Sequence, residues 1–216
     1  MAFSKIKYSI CTIVLFISSF AHSQQENFNR LSVELTTGIH IPLKPEAGIA
    51  RSKYVGFKQF ELGARYMFSE KFGVKGHYGY NNFSDPDNLS RGILLNRFGL
   101  EGVVNIGKLL NVNYNIREKF GILVHAGPGI TFAIPESNEN VDRMGNLIAG
   151  ITGQIRLSER FTLLGDVSHI SNFSQQYGYN GVLLDANSSS NTGSFLSISF
   201  GLMYSIGSKR HHSDWY

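Results

Sequence analysis

The sequence has little charge, few prolines and one cysteine. Of 216 residues, 17% are Asp, Glu, Lys or Arg, five are proline, and Cys11 is the lone thiol. Cys11 falls in the apolar stretch Ile10–Phe20, between basic Lys5 and Lys7 and the small-residue site Ala21-His22-Ser23. This pattern reads as a secretory signal peptide, residues 1–23, cut before Gln24. The exported chain then holds no cysteine, which excludes disulfides, thiolate catalysis and cysteine metal sites. Loss of Lys5 and Lys7 leaves 18 of the 20 bases against 16 acids, so the formal charge drops from +4 to +2. So small an excess supports no nucleic-acid footprint. After the first 25 residues no apolar run reaches the ~18 residues of a membrane helix, and 23 glycines scattered through the apolar segments disfavour long helices. An aromatic content of 12% disfavours disorder. A β-rich chain remains, and its mean hydropathy of −0.09 says nothing of how apolar residues are divided between strand faces.

What is present is alternation. After a short N-terminal segment, residues 24–30, eight segments of roughly ten residues each repeat an apolar/non-apolar period of two, and the sequence predicts eight strands within 31–207. In the first, Leu31, Val33, Leu35 and Ile39 oppose Ser32, Glu34, Thr36 and His40. In the last, Leu196, Ile198, Phe200, Leu202 and Tyr204 oppose Ser197, Ser199, Gly201 and Met203. The fifth runs from Phe120 to Ile134 with Pro128 as a blemish, because proline cannot donate to a ladder and favours edges or bulges. The breaks also alternate. Ser69-Glu70-Lys71 and Ser158-Glu159-Arg160 are tight turns and Gly107–Lys119 is a longer one. Pro42–Gly56, Asn81–Leu94, Pro135–Arg143 and Ser171–Ser194 are long and polar. That rhythm describes an all-β, antiparallel up-and-down barrel with its long loops at one end.

Such a barrel is either soluble with an apolar interior or membrane-spanning with an apolar exterior, and the polar face distinguishes them. It carries Gly, Ser, Thr and Asn, with four acids (Glu34, Glu61, Glu101, Asp166) and four bases (Arg65, Lys75, Arg97, Arg156). A balanced set of charges suits a closed, filled lumen, where each needs a partner. If Phe68 pairs with Phe72, Arg65 stands opposite Lys75, and Glu34 and Glu101 on the flanking strands are placed to relieve them. A luminal chain Glu34, Arg65, Lys75, Glu101 is therefore expected. On the apolar face, Phe57, Phe68, Phe72, Tyr80, Phe98, Phe120, Phe132, Phe161, Phe195 and Tyr204 fall near strand ends, where membrane barrels carry aromatic girdles.

Arg65-Tyr66-Met67-Phe68 with Lys71-Phe72-Gly73, Tyr78-Gly79-Tyr80, Gly102 to Gly107, Met144-Gly145-Asn146 and Gln154 to Ser158 resemble the OmpA-like transmembrane barrel domain of Bacteroidota-type bacteria. The resemblance covers roughly Arg30 to Gly207. It implies an eight-stranded outer-membrane barrel of a Gram-negative cell, with long loops at the surface and turns in the periplasm. Many members continue into a peptidoglycan-binding domain. Here a tail, residues 208–216, follows Gly207, so direct cell-wall binding is not expected. Phe200, Tyr204 and Ile206 would carry the aromatic insertion signal, with Tyr216 as a terminal aromatic.

Ser168-His169-Ile170-Ser171-Asn172 is similar to the His-x-Ser-Asn of PagL-type lipid A deacylases. His169 and Ser171 share a strand face, so the imidazole could take the hydroxyl proton. No carboxylate lies between Asn172 and Leu184 to orient that imidazole, and Asp185 falls in a loop. His40, His77 and His125 share the luminal face without a metal-ligand spacing, so neither metal nor cofactor is expected. Asn180-Gly181 and Asn187–Thr192 read as turn chemistry, and Gly127 and Gly129, with no helix after them, make no nucleotide site. The expectation is a non-enzymatic integral outer-membrane protein that contacts lipid and lipopolysaccharide and acts through surface loops or beside other outer-membrane proteins. A lipid A or phospholipid acyl hydrolase and a narrow porin are the alternatives. Eight strands leave an interior just wide enough for side chains to fill, which disfavours the porin.

Overall fold

A computed structural model describes residues 28–45, 50–136, 140–184 and 191–215. The signal peptide, Cys11, Asp185 and Tyr216 lie outside the described residues. Eight antiparallel strands close into one barrel: β2 (Leu31–Lys44), β3 (Gly56–Met67), β4 (Phe72–Asp85), β5 (Asn88–Asn105), β6 (Phe120–Pro135), β7 (Asp142–Arg156), β8 (Phe161–Phe173) and β9 (Gly193–Ile206), with β9 returning to β2. A two-stranded parallel ribbon, β1 (Phe28–Asn29) with β10 (His211–His212), lies at the end where β2 begins. The connections 106–119 contain two single-turn helices, α1 (Ile106–Leu109) and α2 (Tyr114–Arg117).

The tight turns share a sequence and a geometry. In Ser69-Glu70-Lys71-Phe72 and Ser158-Glu159-Arg160-Phe161 the serine Oγ accepts from the phenylalanine N–H, at 3.2 and 3.0 Å, and the phenylalanine carbonyl accepts from the residue before the serine. The hydroxyl stands in for a backbone partner, which fixes register in both hairpins. Arg65 consequently pairs with Lys75.

Burial alternates along every strand with the period read from the sequence. Leu35, Leu62, Leu100 and Phe200 point outward, each 54–61% exposed. A continuous belt of such side chains is costly in water and favourable in hydrocarbon. No helix among the described residues is long and apolar enough to cross a membrane; the strands do so. They run from 12 to 18 residues, beyond the ~9–11 that a tilted strand needs, and so project past the bilayer.

Two expectations need correction, the Asn81–Leu94 loop and the girdle position of Phe195. Asn81–Leu94 is not a loop: β4 and β5 pair from Asn82–Leu94 up to Asp85–Asn88, leaving a turn at Pro86-Asp87. Asn82 and Ser84 take outward positions there, and these polar residue types, where lower outward positions carry apolar ones, hide the strand period. Pro128 causes no bulge. It pairs with Leu147 on β7, and only the β5–β6 ladder is interrupted there, between Gly99–Gly129 and Gly102–Ala126. Phe195 belongs to no girdle, because its register with Ser197 turns it inward, where it is buried. The tail after Gly207 does not trail into solvent. Gly207 adopts φ +144°, a turn that L side chains rarely make, and the chain folds back across the barrel mouth.

Candidate functional site: the filled lumen and its two closures

The interior has three tiers. In the middle lie the charges. Glu34 on β2 meets Arg65 Nε at 2.9 Å and Lys75 Nζ at 3.5 Å. Lys75 Nζ donates to Glu61 at 2.8 Å, and Arg97 Nη2 donates to the other Glu61 oxygen at 3.1 Å. Arg97 also donates to Asn81 and stacks over Phe195 at 5.6 Å. Glu101, although opposite Lys75 in register, makes its short contacts with His77 Nδ1 at 2.9 Å and His125 Nδ1 at 2.6 Å. His125 Nε2 then reaches Asp166 at 2.8 Å, and Asp166 accepts from Thr152 and Ser168. An alternating row results, Glu61, His77, Glu101, His125, Asp166, with His77 Nε2 3.8 Å from Glu61.

The charge balance differs from the one read off the strand faces. Arg156 ends β7 at the mouth and donates to His211 Nδ1 at 2.9 Å, outside the row of charges. Asp214 from the tail enters instead. Among the described residues, the charged tier therefore sets five carboxylates (Glu34, Glu61, Glu101, Asp166, Asp214) against three permanent cations (Arg65, Lys75, Arg97), and two imidazoles each stand between a pair of acids. Both ring nitrogens of His125 face oxygens that only accept, a geometry met in full by the doubly protonated ring. The alternating pattern could suggest a metal site, but among the described residues no group of three or more His, Cys, Asp or Glu is arranged to hold one. His40 packs on Phe83, ring centroids 4.0 Å apart, away from the other two histidines of that face.

Above the charges, on the long-loop side, the barrel is filled by apolar side chains. Phe83, Ile93, Leu95, Met144, Ile148, Ile170 and Phe195 meet Tyr54, Tyr177 and Tyr179 from the loops. Tyr179, whose phenol donates to the Ser194 carbonyl at 2.8 Å, is fully buried, and burial pushes the phenol well above its ordinary range. This upper plug was not legible in the strand period, because its members occupy luminal positions beyond the charged tier.

The tail closes the other end. The side chain of Asn29 clamps the Lys209 backbone, donating to its carbonyl at 2.7 Å and accepting from its N–H at 2.9 Å. A turn of 3-10 helix, Ser213–Trp215, is buried in the mouth. Asp214 Oδ2 accepts from Arg65 Nη2 at 2.9 Å and from Gln154 Nε2 at 3.1 Å. Burial opposes its charge, but Arg65, His212 and the Gln154 bond outweigh that and hold the carboxyl well below the ordinary range.

On the outer surface, Ser171 Oγ lies 3.4 Å from His169 Nδ1, at the limit of a hydrogen bond. Both residues face lipid, and the cross-strand neighbours of His169 are Ala149 and Leu196. Among the described residues no carboxylate bonds to this imidazole.

A closed eight-stranded antiparallel barrel with an apolar exterior and a filled polar lumen is the fold of outer-membrane β-barrels, the architecture of the Gram-negative cell outer membrane. The solved structure of Neisserial surface protein A shares it: TM-score 0.59 at 10% identity over 82% of this chain and 97% of that one. The N-terminal β-barrel domain of Pseudomonas aeruginosa OprF matches with TM-score 0.47 at 12% identity, over 84% of this chain and 100% of that one. For Ail, the attachment invasion locus protein of Yersinia pestis, the values are 0.41 and 14%, over 83% and 99%. No protein-family model and no curated protein matches the sequence.

Proposed function

We propose that this barrel is a non-catalytic, non-conducting integral outer-membrane protein that acts through its surface loops or as an accessory subunit of a larger outer-membrane assembly. The observation that carries the reading is the threefold filling of the lumen: apolar plug, charge row and docked tail. A route for solutes would require all three to part, which speaks against a narrow porin. That no carboxylate among the described residues orients His169 speaks against an acyl hydrolase, since an imidazole without that partner is a poor general base for a serine. The one observation on the hydrolase's side is the 3.4 Å approach of Ser171 to His169.

Three measurements test this. Planar-bilayer recordings are expected to show no stepwise conductance, and regular steps would establish the porin instead. Lipid A and phospholipid mass spectra from cells expressing the wild type and Ser171→Ala are expected to be identical; loss of an acyl chain only with the wild type would make it a hydrolase. Extraction in mild detergent is expected to recover a second outer-membrane protein in fixed ratio, if the accessory role holds.

A further inference from the structure

The two ends of the barrel carry different charge. At the long-loop end, the described residues of segments 42–58, 82–94, 134–145 and 171–195 hold six Lys and Arg against four Asp and Glu. At the short-turn end, segments 67–71, 105–119, 156–161 and 206–215 hold eight against four. Three of those four acids are already engaged: Glu70 by Lys108, Glu159 by Arg210 and Asp214 by Arg65. Six cations there, Lys71, Arg117, Lys119, Arg156, Arg160 and Lys209, have no carboxylate within salt-bridge distance among the described residues, and Glu118 is the one acid left to oppose them.

The same end exposes apolar side chains where a water-facing turn should be polar. In the 106–119 connection, Leu109, Leu110, Val112, Tyr114 and Ile116 are 37–69% exposed, and cations stand among and after them at Lys108, Arg117 and Lys119. Next to it a groove of about 630 Å³ is lined by the cations Lys119, Arg156 and Arg210, by the acids Glu118 and Glu159, of which Glu159 is held by Arg210, and by Tyr114, Leu157 and Trp215. Of the cations in the 106–119 connection, Lys108 is held by Glu70, whereas Arg117 and Lys119 have no carboxylate partner among the described residues; apolar residues beside such cations, at the rim of a membrane-spanning barrel, fit a surface of acyl chains under phosphate groups.

We propose that the short-turn end docks anionic phospholipid of the periplasmic leaflet, with a headgroup phosphate seated in the groove between Lys119 and Arg156 and the 106–119 aliphatic side chains entering the acyl region. The proposal rests on the membrane-spanning reading and adds a lipid class, a leaflet and a site to it. Charge complementarity selects the occupant: phosphatidylglycerol carries a net negative charge, whereas a zwitterionic headgroup offers the cations no net attraction.

The test uses the full chain folded in vesicles of equal phosphatidylglycerol and phosphatidylcholine, followed by gentle extraction and native mass spectrometry of retained lipid. Wild type is expected to retain phosphatidylglycerol about fivefold or more over phosphatidylcholine, on the order of one cation's contribution near an anionic surface. Lys119→Gln/Arg156→Gln/Arg160→Gln is expected to bring that ratio to about one, while Lys58→Gln/Arg143→Gln at the other end leaves it unchanged. Heat-modified mobility on denaturing gels reports that each variant folds. Equal retention of the two lipids by a folded wild type, or equal loss with both variants, overturns the proposal. Preferential binding of purified cell-wall sacculi with no lipid preference overturns it in favour of a wall contact. A wild type that never acquires heat-modified mobility in lipid overturns the membrane-spanning reading itself.

Discussion

Arg65, on the second strand of the barrel, holds Asp214 from the tail at 2.9 Å, and both side chains are buried. Removing Asp214 leaves Arg65 with Glu34 as its remaining carboxylate and takes the acceptor from Gln154 Nε2, at a cost of about 1–3 kcal/mol. Asp214→Ala is therefore expected to release the tail. Trp215, the only tryptophan of the chain, is buried beside it, so the variant should show red-shifted, acrylamide-quenchable emission while the barrel keeps its gel mobility. Unchanged emission would mean that the tail is held elsewhere.

The pH dependence of the tail follows from the same carboxyl. A group whose pKa is depressed in the folded state stabilises it above the unfolded value, about 4 for a carboxyl, and loses that contribution as pH falls through the folded value. Trp215 emission should stay flat between about pH 8 and pH 5 and shift only below about pH 4. A transition well above pH 5 would assign the docking to a group other than Asp214.

His125 bridges Glu101 and Asp166, and the charged tier, among the described residues, has five carboxylates for three permanent cations. His125→Gln keeps the volume and removes a proton that two acids share. We expect a loss of about 3 kcal/mol or more in urea unfolding from detergent, with Glu101→Gln/His125→Gln recovering part of it. A stable single variant would show that the ring is not needed as a cation.

The closing seam between β2 and β9 depends on two inward glycines. A Cβ at Gly201 would collide with the Leu35 carbonyl, and one at Gly38 with the Ile198 carbonyl. Gly201→Val should prevent closure, leaving a chain with no heat-modified mobility. Gly76→Ala, with nothing within 4 Å of the added atom, should fold as the wild type does.

The barrel was legible because lipid and lumen impose opposite demands on alternate residues, and the Ser-Glu-Lys-Phe and Ser-Glu-Arg-Phe turns fixed the hairpin registers. What stayed hidden follows the limits of that signal. Polar Asn82 and Ser84 occupy outward positions at the end of β4, so the period fades although pairing continues to Asp85. Glu101 could be placed on the luminal face, but its choice of His77 and His125 over Lys75 depends on side-chain reach around a circle, which no one-dimensional pattern carries. Asp214 sits in a stretch without periodicity, and nothing near it in sequence shows that its partner is 149 positions away. Phe195 was placed by its residue type when its register with Ser197 was the better guide.

The tail's docking site is assembled from Asn29, Arg65 and Gln154, contributed by β1, β3 and β7. These residues come together only when the first barrel strand has met the last. The tail thus has nothing to bind on an open sheet, and its docking is a late event that registers completion. During assembly, Trp215 should therefore work as a built-in clock, changing its emission after the strands have paired and marking the moment at which the ring is whole.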